Sequence, residues 1–509
     1  MLLLVLPFIA ICSVVLLIIY SKFLFKTDQP LRIARTQLKQ AAYVDKRRML
    51  KVDKATLRAN YRSSYSLYVT YVLSAILLWV TWQITSMYTQ DYPLLKPMFI
   101  LFGAYTLFLS TLAAISKPYK INRSQQSRAQ RKSVAILVPV YNEDPEALRS
   151  GLRSMITQYH MPHEIHVVDD GSTTDYKKIR TWFYVQARAC NVRVTWYRQN
   201  NSGKRAAQIN AYSRVDKSKT DYIATVDSDC ELDPRALEES IKPFVNDKNI
   251  SSVAGVVIAK NAQHNMLARI TDLIFVSGQQ LIDRAGMSQL GSVIVNSGGL
   301  ALYKSRVVQN AIRNDYDNEI FMGRQVKFSD DSYLTLIAKM MGKTVQQQSA
   351  IVFSDMPVRL SHHVRQQVRW GRGSFIRGIW RLRYLPFVSW GVVRQVSGWV
   401  VFALMTAVQI DLFIISPIIY DKFIPVAYLL IPILFMYFTS LRYFSIKRSD
   451  MSFSSQVYTY SLAIFAIVWT ALVLRIIRLY AIFTCAKTGW GTRAAVEITY
   501  EETPQTAII

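Results

Sequence analysis

Residues 222–229 read Tyr-Ile-Ala-Thr-Val-Asp-Ser-Asp, a short apolar run that ends in two carboxylates. The runs at 134–138 (Val-Ala-Ile-Leu-Val) and 165–168 (Ile-His-Val-Val) also end in polar residues, and helical-looking segments separate all three. This alternation predicts a doubly wound α/β domain, whose ligands bind at the carboxyl ends of its parallel strands. We assign residues 117–360 to this domain.

Two motifs at predicted strand ends offer nucleotide contacts. Tyr141 and Glu143 lie in Pro-Val-Tyr-Asn-Glu-Asp at 139–144, a turn that can hold a nucleobase and ribose. Asp170 lies in Val-Val-Asp-Asp-Gly-Ser at 167–172, and its carboxylate can bond a uracil imide. For either motif alone, an ordinary carboxylate at a strand-to-turn junction is an equally good interpretation.

A basic loop and a carboxylate pair suggest a diphosphate and metal site. In Asn-Ser-Gly-Lys-Arg at 201–205, glycine permits close backbone approach, and Lys204 and Arg205 can meet a diphosphate. A solvated basic turn is the favoured interpretation of that motif taken alone. Asp227 and Asp229, two residues apart at a strand end, can hold a hard divalent cation together with phosphate oxygens.

Ser-Asp-Asp at 329–331 stands just before a helical segment. A sugar transfer with inversion needs a general base near the acceptor hydroxyl, and Asp331 is the better candidate, with Asp330 in support. The alternative is a helix N-cap followed by an acidic first turn, a common use of Asp.

Two motifs near apolar blocks are aromatic and basic. Gln-Gln-Val-Arg-Trp at 366–370 lies in a basic stretch, 361–394, that suits helices in a membrane interface. Trp370 can stack on a sugar face, while Gln366 and Arg369 can reach hydroxyls or phosphate. Trp-Gly-Thr-Arg at 490–493 is similar in character, and a membrane-edge anchor is the simpler interpretation of each motif alone.

The composition indicates a membrane protein. In a soluble protein a net charge of +27 would suggest nucleic acid, but here 51% of the residues are apolar and form long uncharged blocks. The basic residues cluster beside the blocks, so we expect a lipid bilayer and no nucleic acid as partner. The four cysteines form no CxxC pair, which indicates neither a zinc site nor a disulfide framework. The blocks lie at 2–25, 64–88, 95–116, 395–420, 423–441 and 455–484.

Loop charges orient these blocks. The basic loop 26–63 is predicted to be cytosolic, and the hairpin that completes the N-terminal transmembrane region 1–116 returns the chain to the cytosol. Three full crossings within 395–484 would place the tail 485–509 outside. The last block is ~45 Å of helix, more than one bilayer needs, and carries Arg475 and Arg478, which are costly in lipid. We therefore predict a broken or re-entrant element that keeps the tail cytosolic.

The order of these motifs over roughly residues 95–493 resembles the membrane family-2 glycosyltransferases of GT-A type, and specifically the hyaluronan synthase group. Trp-Gly-Thr-Arg after the last apolar block favours that group over cellulose or chitin synthases. The resemblance implies a multi-pass plasma-membrane enzyme with a cytosolic α/β GT-A domain embedded in transmembrane and interfacial helices. It also implies processive, inverting transfer from UDP-GlcNAc and UDP-GlcA, with Mn²⁺ or Mg²⁺, and export of the nascent polysaccharide.

The resemblance also implies roles by matched position. Asp227 and Asp229 would hold the metal ion, and Asp331, supported by Asp330, would be the base. Nucleotide contacts are implied for Tyr141, Glu143, Asp170, Lys204, Arg205, Asp227, Arg369, Trp490 and Arg493. The last two would lie on a loop of the tail that closes over the nucleotide. Acceptor contacts are implied for Arg284, Ser297, Gly298, Gln366 and Trp370.

The chain departs from the family pattern at three places. Ser329 replaces the glycine of the usual Gly-Asp-Asp, and Gly299 replaces a proline. Gly-Arg-Gly at 371–373 replaces the usual Ser/Asn-Lys-Ser after the tryptophan. The metal and base carboxylates are kept, so we expect transferase activity, while the second and third departures lie where the acceptor is read.

Three alternatives remain at this point. The first is a synthase of another polymer: a glucose–glucuronate capsule, a chitin-like chain or poly-GlcNAc. The second is a non-processive lipid-linked sugar transferase, which has little need of the motifs at 366–370 and 490–493 or of six apolar blocks. The third, a basic membrane-anchored nucleic-acid or lipid-binding protein, leaves the carboxylates at strand ends unexplained.

Overall fold

The computed structural model describes residues 56–62, 67–87, 95–423 and 425–489. The predicted anchor at 2–25, most of the basic loop 26–63, and Trp490 and Arg493 lie outside these residues.

An eight-stranded mixed sheet forms the centre of the predicted α/β domain. The described residues contain twelve strands, of which β1 with β12 and β9 with β10 form two small separate sheets. The strands are β1 (Ala59–Tyr61), β2 (Val134–Val140), β3 (Glu164–Asp169), β4 (Arg193–Arg198), β5 (Tyr222–Thr225), β6 (Glu231–Leu232), β7 (Ile250–Ala259), β8 (Ala301–Lys304), β9 (Ile320–Phe321), β10 (Arg324–Gln325), β11 (Lys343–Ser354) and β12 (Ile446–Arg448). The order in the sheet is β4-β3-β2-β5-β8-β7-β11-β6. Strands β2 to β5 run parallel, as do β7 and β11, but β8 runs antiparallel to both of its neighbours.

Helices cover both faces of this sheet and continue into an apolar region. They are α1 (Leu67–Met87), α2 (Leu95–Ile115), α3 (Arg123–Gln130), α4 (Pro145–Met155), α5 (Lys177–Ala189), α6 (Lys204–Ser213), α7 (Ala236–Asn246), α8 (Met266–Leu273), α9 (Ala285–Gln289), α10 (Ser305–Arg313), α11 (Asp330–Met341), α12 (Leu360–Tyr384), α13 (Trp390–Ile410), α14 (Ser416–Tyr420), α15 (Val426–Ser440), α16 (Phe453–Ser461), α17 (Ala463–Val468) and α18 (Arg475–Phe483). Segments of π-helix, Ile274–Arg284, Asp411–Ile415 and Trp469–Leu474, join α8 to α9, α13 to α14 and α17 to α18.

The continuous apolar sequence of β2 follows from burial on both faces. Every residue of this strand is buried. Ile136 packs on one side with α4, α5 and α7, whereas Leu137 packs on the other with α6, α10 and α11. A strand covered by helices on both faces has no solvent side, so its sequence does not alternate between apolar and polar residues.

Four helical stretches among the described residues are long and apolar enough to cross a membrane. They are Lys96–Ile115, Trp390–Tyr420, Tyr428–Ser445 and Ala463–Phe483, and Val72–Met87 is a shorter apolar helix. These helices coincide with the blocks that the sequence places at 64–88, 95–116, 395–420, 423–441 and 455–484.

The last apolar block begins and ends against the α/β domain. Near its start, Arg269 donates to Ser455 Oγ at 3.0 Å. Just after its end, the backbone N–H of Lys327 donates to the carbonyl of Thr488 at 3.2 Å. Between these points the helix is interrupted at 462, and α18 packs along α12. The stretch is long enough to span a bilayer, and the re-entrant path stays a prediction.

Candidate active site

A cavity of about 990 Å³ opens at the carboxyl ends of β2 and β5 and extends to the apolar helices α13 and α18. It brings together the site residues that the sequence predicts, with Arg205 as the exception among those described. The lining includes Tyr141, Glu143, Asp170, Lys204, Asp227, Asp229, Arg284, Ser297, Gly298, Asp330, Asp331, Gln366, Arg369 and Trp370. Gly489, the last described residue before the predicted loop of the tail, also lines it.

Asp170 holds the basic loop in place. Its Oδ1 atom accepts hydrogen bonds from Gln199 Nε2 at 2.7 Å and from the N–H of Ser202 at 2.9 Å. Its Oδ2 atom accepts from the N–H of Gly203 at 2.8 Å. Gly203 has a φ of +96°, a conformation that favours glycine, and helix α6 begins at the next residue. The carboxylate therefore has a loop-organising role, and its contact with uracil stays a prediction.

Lys204 lies between two groups of carboxylates. Its Nζ atom is 2.7 Å from Asp227 Oδ1 and 3.0 Å from Asp330 Oδ2. Burial alone would lower the pKa of Lys204, but these two carboxylates outweigh it and hold the pKa above its ordinary value. The lysine is therefore charged at neutral pH and links the predicted metal ligands to the predicted base.

Asp227 and Asp229 fit a hard divalent cation. Burial raises the pKa of Asp227, Lys204 opposes that rise, and the charges of Asp229 and Asp330 add to it. A Cβ atom built on Gly298 would lie 2.7 Å from Asp227 Oδ2, so a side chain at residue 298 would displace this carboxylate. Within the described part of the chain no third Asp, Glu, His or Cys completes a metal-binding group. A cation here would draw its remaining oxygen ligands from the nucleotide and from water.

The two carboxyl groups that open α11 have opposite pKa shifts. Burial raises the pKa of Asp331 to about 6, and the neighbouring charge of Asp330 contributes. For Asp330 burial acts in the same direction, but Lys204 and a 3.0 Å hydrogen bond from Gln208 hold its pKa below the ordinary value. Two carboxyl groups with separated pKa values are suited to different roles. Asp331 is the one that can accept a proton near neutral pH.

Three of the predicted acceptor contacts, Arg284, Gln366 and Trp370, lie on α12 and on the π-helical segment that precedes α9. Trp370 stacks on Phe275 with a centroid distance of 5.7 Å and an interplanar angle of 24°. Trp370 and Gln366 both line the cavity from α12. Arg284 lines it from the π-helical segment, and burial lowers the pKa of Arg284 to about 10. These side chains supply an aromatic face and polar groups to the cavity that Asp331 also lines.

At its far end the cavity is lined by arginines of the apolar helices. Arg475 Nη1 donates to the carbonyl of Phe402 at 3.2 Å and to Thr406 Oγ1 at 2.9 Å. Arg478 lies over the Phe402 ring at 4.9 Å. Among the residues with described side chains, no carboxylate forms an ion pair with Arg475 or Arg478, whereas Arg394 pairs with Asp283 at 2.5 Å. The sequence marks the first two arginines as costly in lipid without assigning them to the cavity.

Arg205 does not line the cavity, which contradicts the prediction that it meets a diphosphate. Its guanidinium is buried, donating to Glu319 Oε2 at 2.8 Å and to the carbonyls of Tyr316 at 2.8 Å and Phe328 at 2.6 Å. Adjacent residues of a helix point about 100° apart, so Lys204 and Arg205 cannot face the same ligand equally.

Sequence reasoning also missed Glu319, which holds three side chains together. Besides Arg205, it accepts from Arg377 Nη2 at 2.9 Å and from Trp380 Nε1 at 2.7 Å. Burial would raise the pKa of Glu319, but Arg377 and Arg205 outweigh it and the pKa is lowered. The partners lie on α6 and α12, far apart in the chain, so no local motif marks this residue.

Comparison with known proteins relates the chain to glycosyltransferases. Residues 135–311 match the profile of Glycosyl transferase family 2. A hyaluronan synthase of Streptococcus pyogenes serotype M1 is 32% identical over 370 residues, which are 72% of this chain and 84% of that protein. An N-acetylglucosaminyltransferase of Azorhizobium caulinodans is 28% identical over 287 residues, covering 55% and 70%.

A solved structure is similar at lower identity. The mannosyltransferase PcManGT from Pyrobaculum calidifontis, in complex with GDP-Man and Mn²⁺, superimposes with a TM-score of 0.47 at 14% identity, covering 82% of this chain and 100% of that chain. The sequence relationships, together with the carboxylates at the strand ends, identify the activity class. The chain is a glycosyltransferase and belongs to family 2, as a relative of the hyaluronan synthases.

Proposed function

We propose that this glycosyltransferase is a processive, inverting polysaccharide synthase that makes hyaluronan from UDP-GlcNAc and UDP-GlcA. The observation that carries the proposal is one continuous cavity that joins the strand-end carboxylates to the apolar helices α13 and α18. A sugar added at Asp331 has a path toward those helices, which a non-processive transferase does not need. The similarity to bacterial hyaluronan synthases over most of the chain supports the choice of polymer.

In the proposed reaction the acceptor hydroxyl attacks the anomeric carbon of the donor sugar from the side opposite to UDP. The new glycosidic C–O bond forms as the bond between the anomeric carbon and the diphosphate oxygen breaks, so the configuration inverts. Asp331 takes the proton of the attacking hydroxyl, and Asp330 stays ionised beside Lys204. Asp227 and Asp229 would hold Mn²⁺ or Mg²⁺, and the ion would neutralise charge on the departing diphosphate.

Arg475 and Arg478 favour an anionic polymer over a neutral one. They line the far end of the cavity together with Arg394. The Asp283 carboxylate pairs with Arg394 and also acts on Arg478, while Arg475 donates to a backbone carbonyl and a hydroxyl. One carboxylate does not balance three arginines, and a uronate in alternate sugars of the chain would supply further negative charge. A chitin-like or poly-GlcNAc chain would not, and this observation therefore supports a polymer that contains glucuronate.

The proposal also covers location and orientation. We place the chain in the plasma membrane as a multi-pass protein, with the α/β domain in the cytosol where nucleotide sugars are made. The re-entrant path of the last apolar block would keep Trp490 and Arg493 on the nucleotide side. The basic pair Lys447 and Arg448 lies between the last two apolar blocks, as expected for a cytosolic loop. Arg448 Nη1 lies 2.9 Å from Asp272, which places this loop beside the α/β domain.

The test is polymer synthesis by the purified full chain, supplied with each UDP-sugar alone and with both, in the presence of Mn²⁺ or Mg²⁺. We expect a long polymer only when both sugars are present, and complete digestion of it by a hyaluronan-specific lyase. Polymer from one sugar alone would contradict the hyaluronan assignment. A short product that extracts into organic solvent would instead favour a lipid-linked sugar transferase.

A further inference from the structure

Two positions at which the chain departs from the family pattern lie in direct contact. Ser329 stands where the pattern has glycine, and Gly373 stands where it has serine. A Cβ atom built on Gly373 would lie 2.9 Å from Ser329 Cβ and would overlap Ser329 Oγ. Because real Cβ atoms essentially never come so close, this space holds one of the two side chains but not both.

The backbone of Ser329 is held from several sides. Its φ of +57° and ψ of +46° lie in the left-handed region, where a residue other than glycine is disfavoured. Arg205 Nη2 donates to the carbonyl of Phe328 at 2.6 Å, and Ser332 Oγ donates to the carbonyl of Ser329 at 3.1 Å. Backbone preference therefore does not account for the serine, whereas the space left by Gly373 does.

The contact between Ser329 and Gly373 lies between the predicted general base, Asp331, and α12. We call α12 the acceptor helix, because it carries Gln366 and Trp370, which are predicted to contact the sugar acceptor. Ser329 immediately precedes Asp330 and Asp331, and all three line the cavity. Gly373 follows Trp370 by three residues on α12, so both lie on the same side of that helix. A change of packing at Gly373 would therefore move the Trp370 face relative to the Asp331 carboxylate.

We propose that Ser329 is a positioning residue, whose side chain, packed against Gly373, sets the spacing between the acceptor helix α12 and Asp331. This inference rests on the proposed function, because the acceptor hydroxyl must lie between those two groups. Ser329 forms and breaks no bond in the reaction and acts only through the position of Asp331. The absence of a side chain at Gly373 leaves this space to the side chain of Ser329.

The test is a double-mutant cycle in the full chain with Ser329→Gly, Gly373→Ser and the double variant. The rate of UDP release gives kcat and the KM for each UDP-sugar, and thermal unfolding gives the midpoint temperature. We expect Gly373→Ser to lower kcat by about 10- to 100-fold, since a misplacement of about 1 Å has effects of that size. The KM should change little, and the double variant should recover most of the lost kcat.

Gly371→Ser is the matched control. Its Cβ would lie 2.7 Å from Ala481 Cβ on α18, so the substitution is also crowded, and its position is likewise one where the chain departs from the pattern. It meets a different neighbour, so Ser329→Gly should not rescue it. Rescue of Gly373→Ser alone would separate the proposed contact from a general loosening of α12.

Additive effects of Ser329→Gly and Gly373→Ser would overturn the inference. So would a change in KM and midpoint temperature that parallels kcat in every variant, because that result indicates a purely structural role. If Gly373→Ser does not fold, a double variant that is folded and active supports the inference that the two side chains share one space. A double variant that also fails to fold counts against that inference. If the wild type releases no UDP, the proposed function is contradicted instead. The thermal unfolding data then still test the contact: additive shifts of the midpoint temperature in the two single variants and the double variant would show that Ser329 and Gly373 do not share one space.

Discussion

The side-chain nitrogen of Lys204 lies 3.0 Å from Asp330 Oδ2, and this ion pair joins α6 to the pair of carboxyl groups that contains the predicted base. Lys204 is the first residue of α6, and Asp330 is the first residue of α11. The same ammonium group is 2.7 Å from Asp227, a predicted metal ligand. One cation thus keeps Asp330 ionised and leaves Asp331 as the carboxyl group with the raised pKa.

Replacement of Lys204 by Gln should lower kcat/KM for the UDP-sugar by about 100-fold or more, since it removes a buried charge next to the leaving diphosphate. It should also raise the pKa of Asp331, because the Lys204 charge lowers it in the native protein. UDP release measured across pH reports both effects. Lys219→Gln, at a lysine whose side chain is 68% exposed, is the control and should leave activity unchanged. Equal activity of the two variants would contradict the role of Lys204.

The pH dependence tests the assignment of Asp331. The protonated acid cannot accept a proton, so kcat/KM should rise as the pH rises through about 6, the pKa to which burial raises this group. Asp330→Asn removes a negative charge that raises this pKa, so the acidic limb of the profile should move to lower pH. A limb that stays in place or moves to higher pH would count against the pairing of these two carboxyl groups.

Asp331→Asn should reduce transfer by about 100- to 10,000-fold, the range that a general base contributes. The affinity for UDP should remain close to that of the wild type, because the nucleotide-side residues are unchanged. Calorimetry with UDP, alongside the UDP-release assay, separates the two properties. Retained turnover in Asp331→Asn would mean that another group takes the proton.

The double variant Arg475→Gln, Arg478→Gln should shorten the polymer while the KM for UDP-sugars stays close to the native value. The two arginines lie at the far end of the cavity, so their loss should weaken retention of an anionic chain rather than donor binding. Size-exclusion chromatography of the product gives the chain length. Arg475→Lys with Arg478→Lys keeps both charges and is the matched control. Equal shortening in both pairs would show that charge is not the cause.

Glu319→Gln should destabilise the fold by about 3–5 kcal/mol, because it leaves Arg205 and Arg377 buried without their carboxylate. The midpoint of thermal unfolding of the purified protein measures this change. Glu146→Gln removes an exposed carboxylate 3.9 Å from Arg149 and should shift stability by less than about 1 kcal/mol. A similar midpoint for both variants would show that the Glu319 cluster is not a structural centre.

Much of the site could be predicted because its carboxylates follow strands directly in the chain. Asp227 and Asp229 come after β5, and strand ends of an α/β sheet meet at one edge. The reversed strand β8 could not be predicted, since its four residues, Ala-Leu-Tyr-Lys, carry no sign of strand direction. Glu319 was missed because its partners are distant in sequence. Arg205 was misassigned because a basic motif does not say which helix face points to the ligand.

The central claim, that synthesis and passage across the membrane share one path, is tested most directly by where the polymer accumulates. The full chain would be reconstituted in sealed vesicles, with both UDP-sugars and then a hyaluronan-specific lyase supplied only outside. The account predicts a long polymer inside the vesicles that resists the lyase until detergent is added. Polymer that the external lyase digests completely before detergent is added would contradict it.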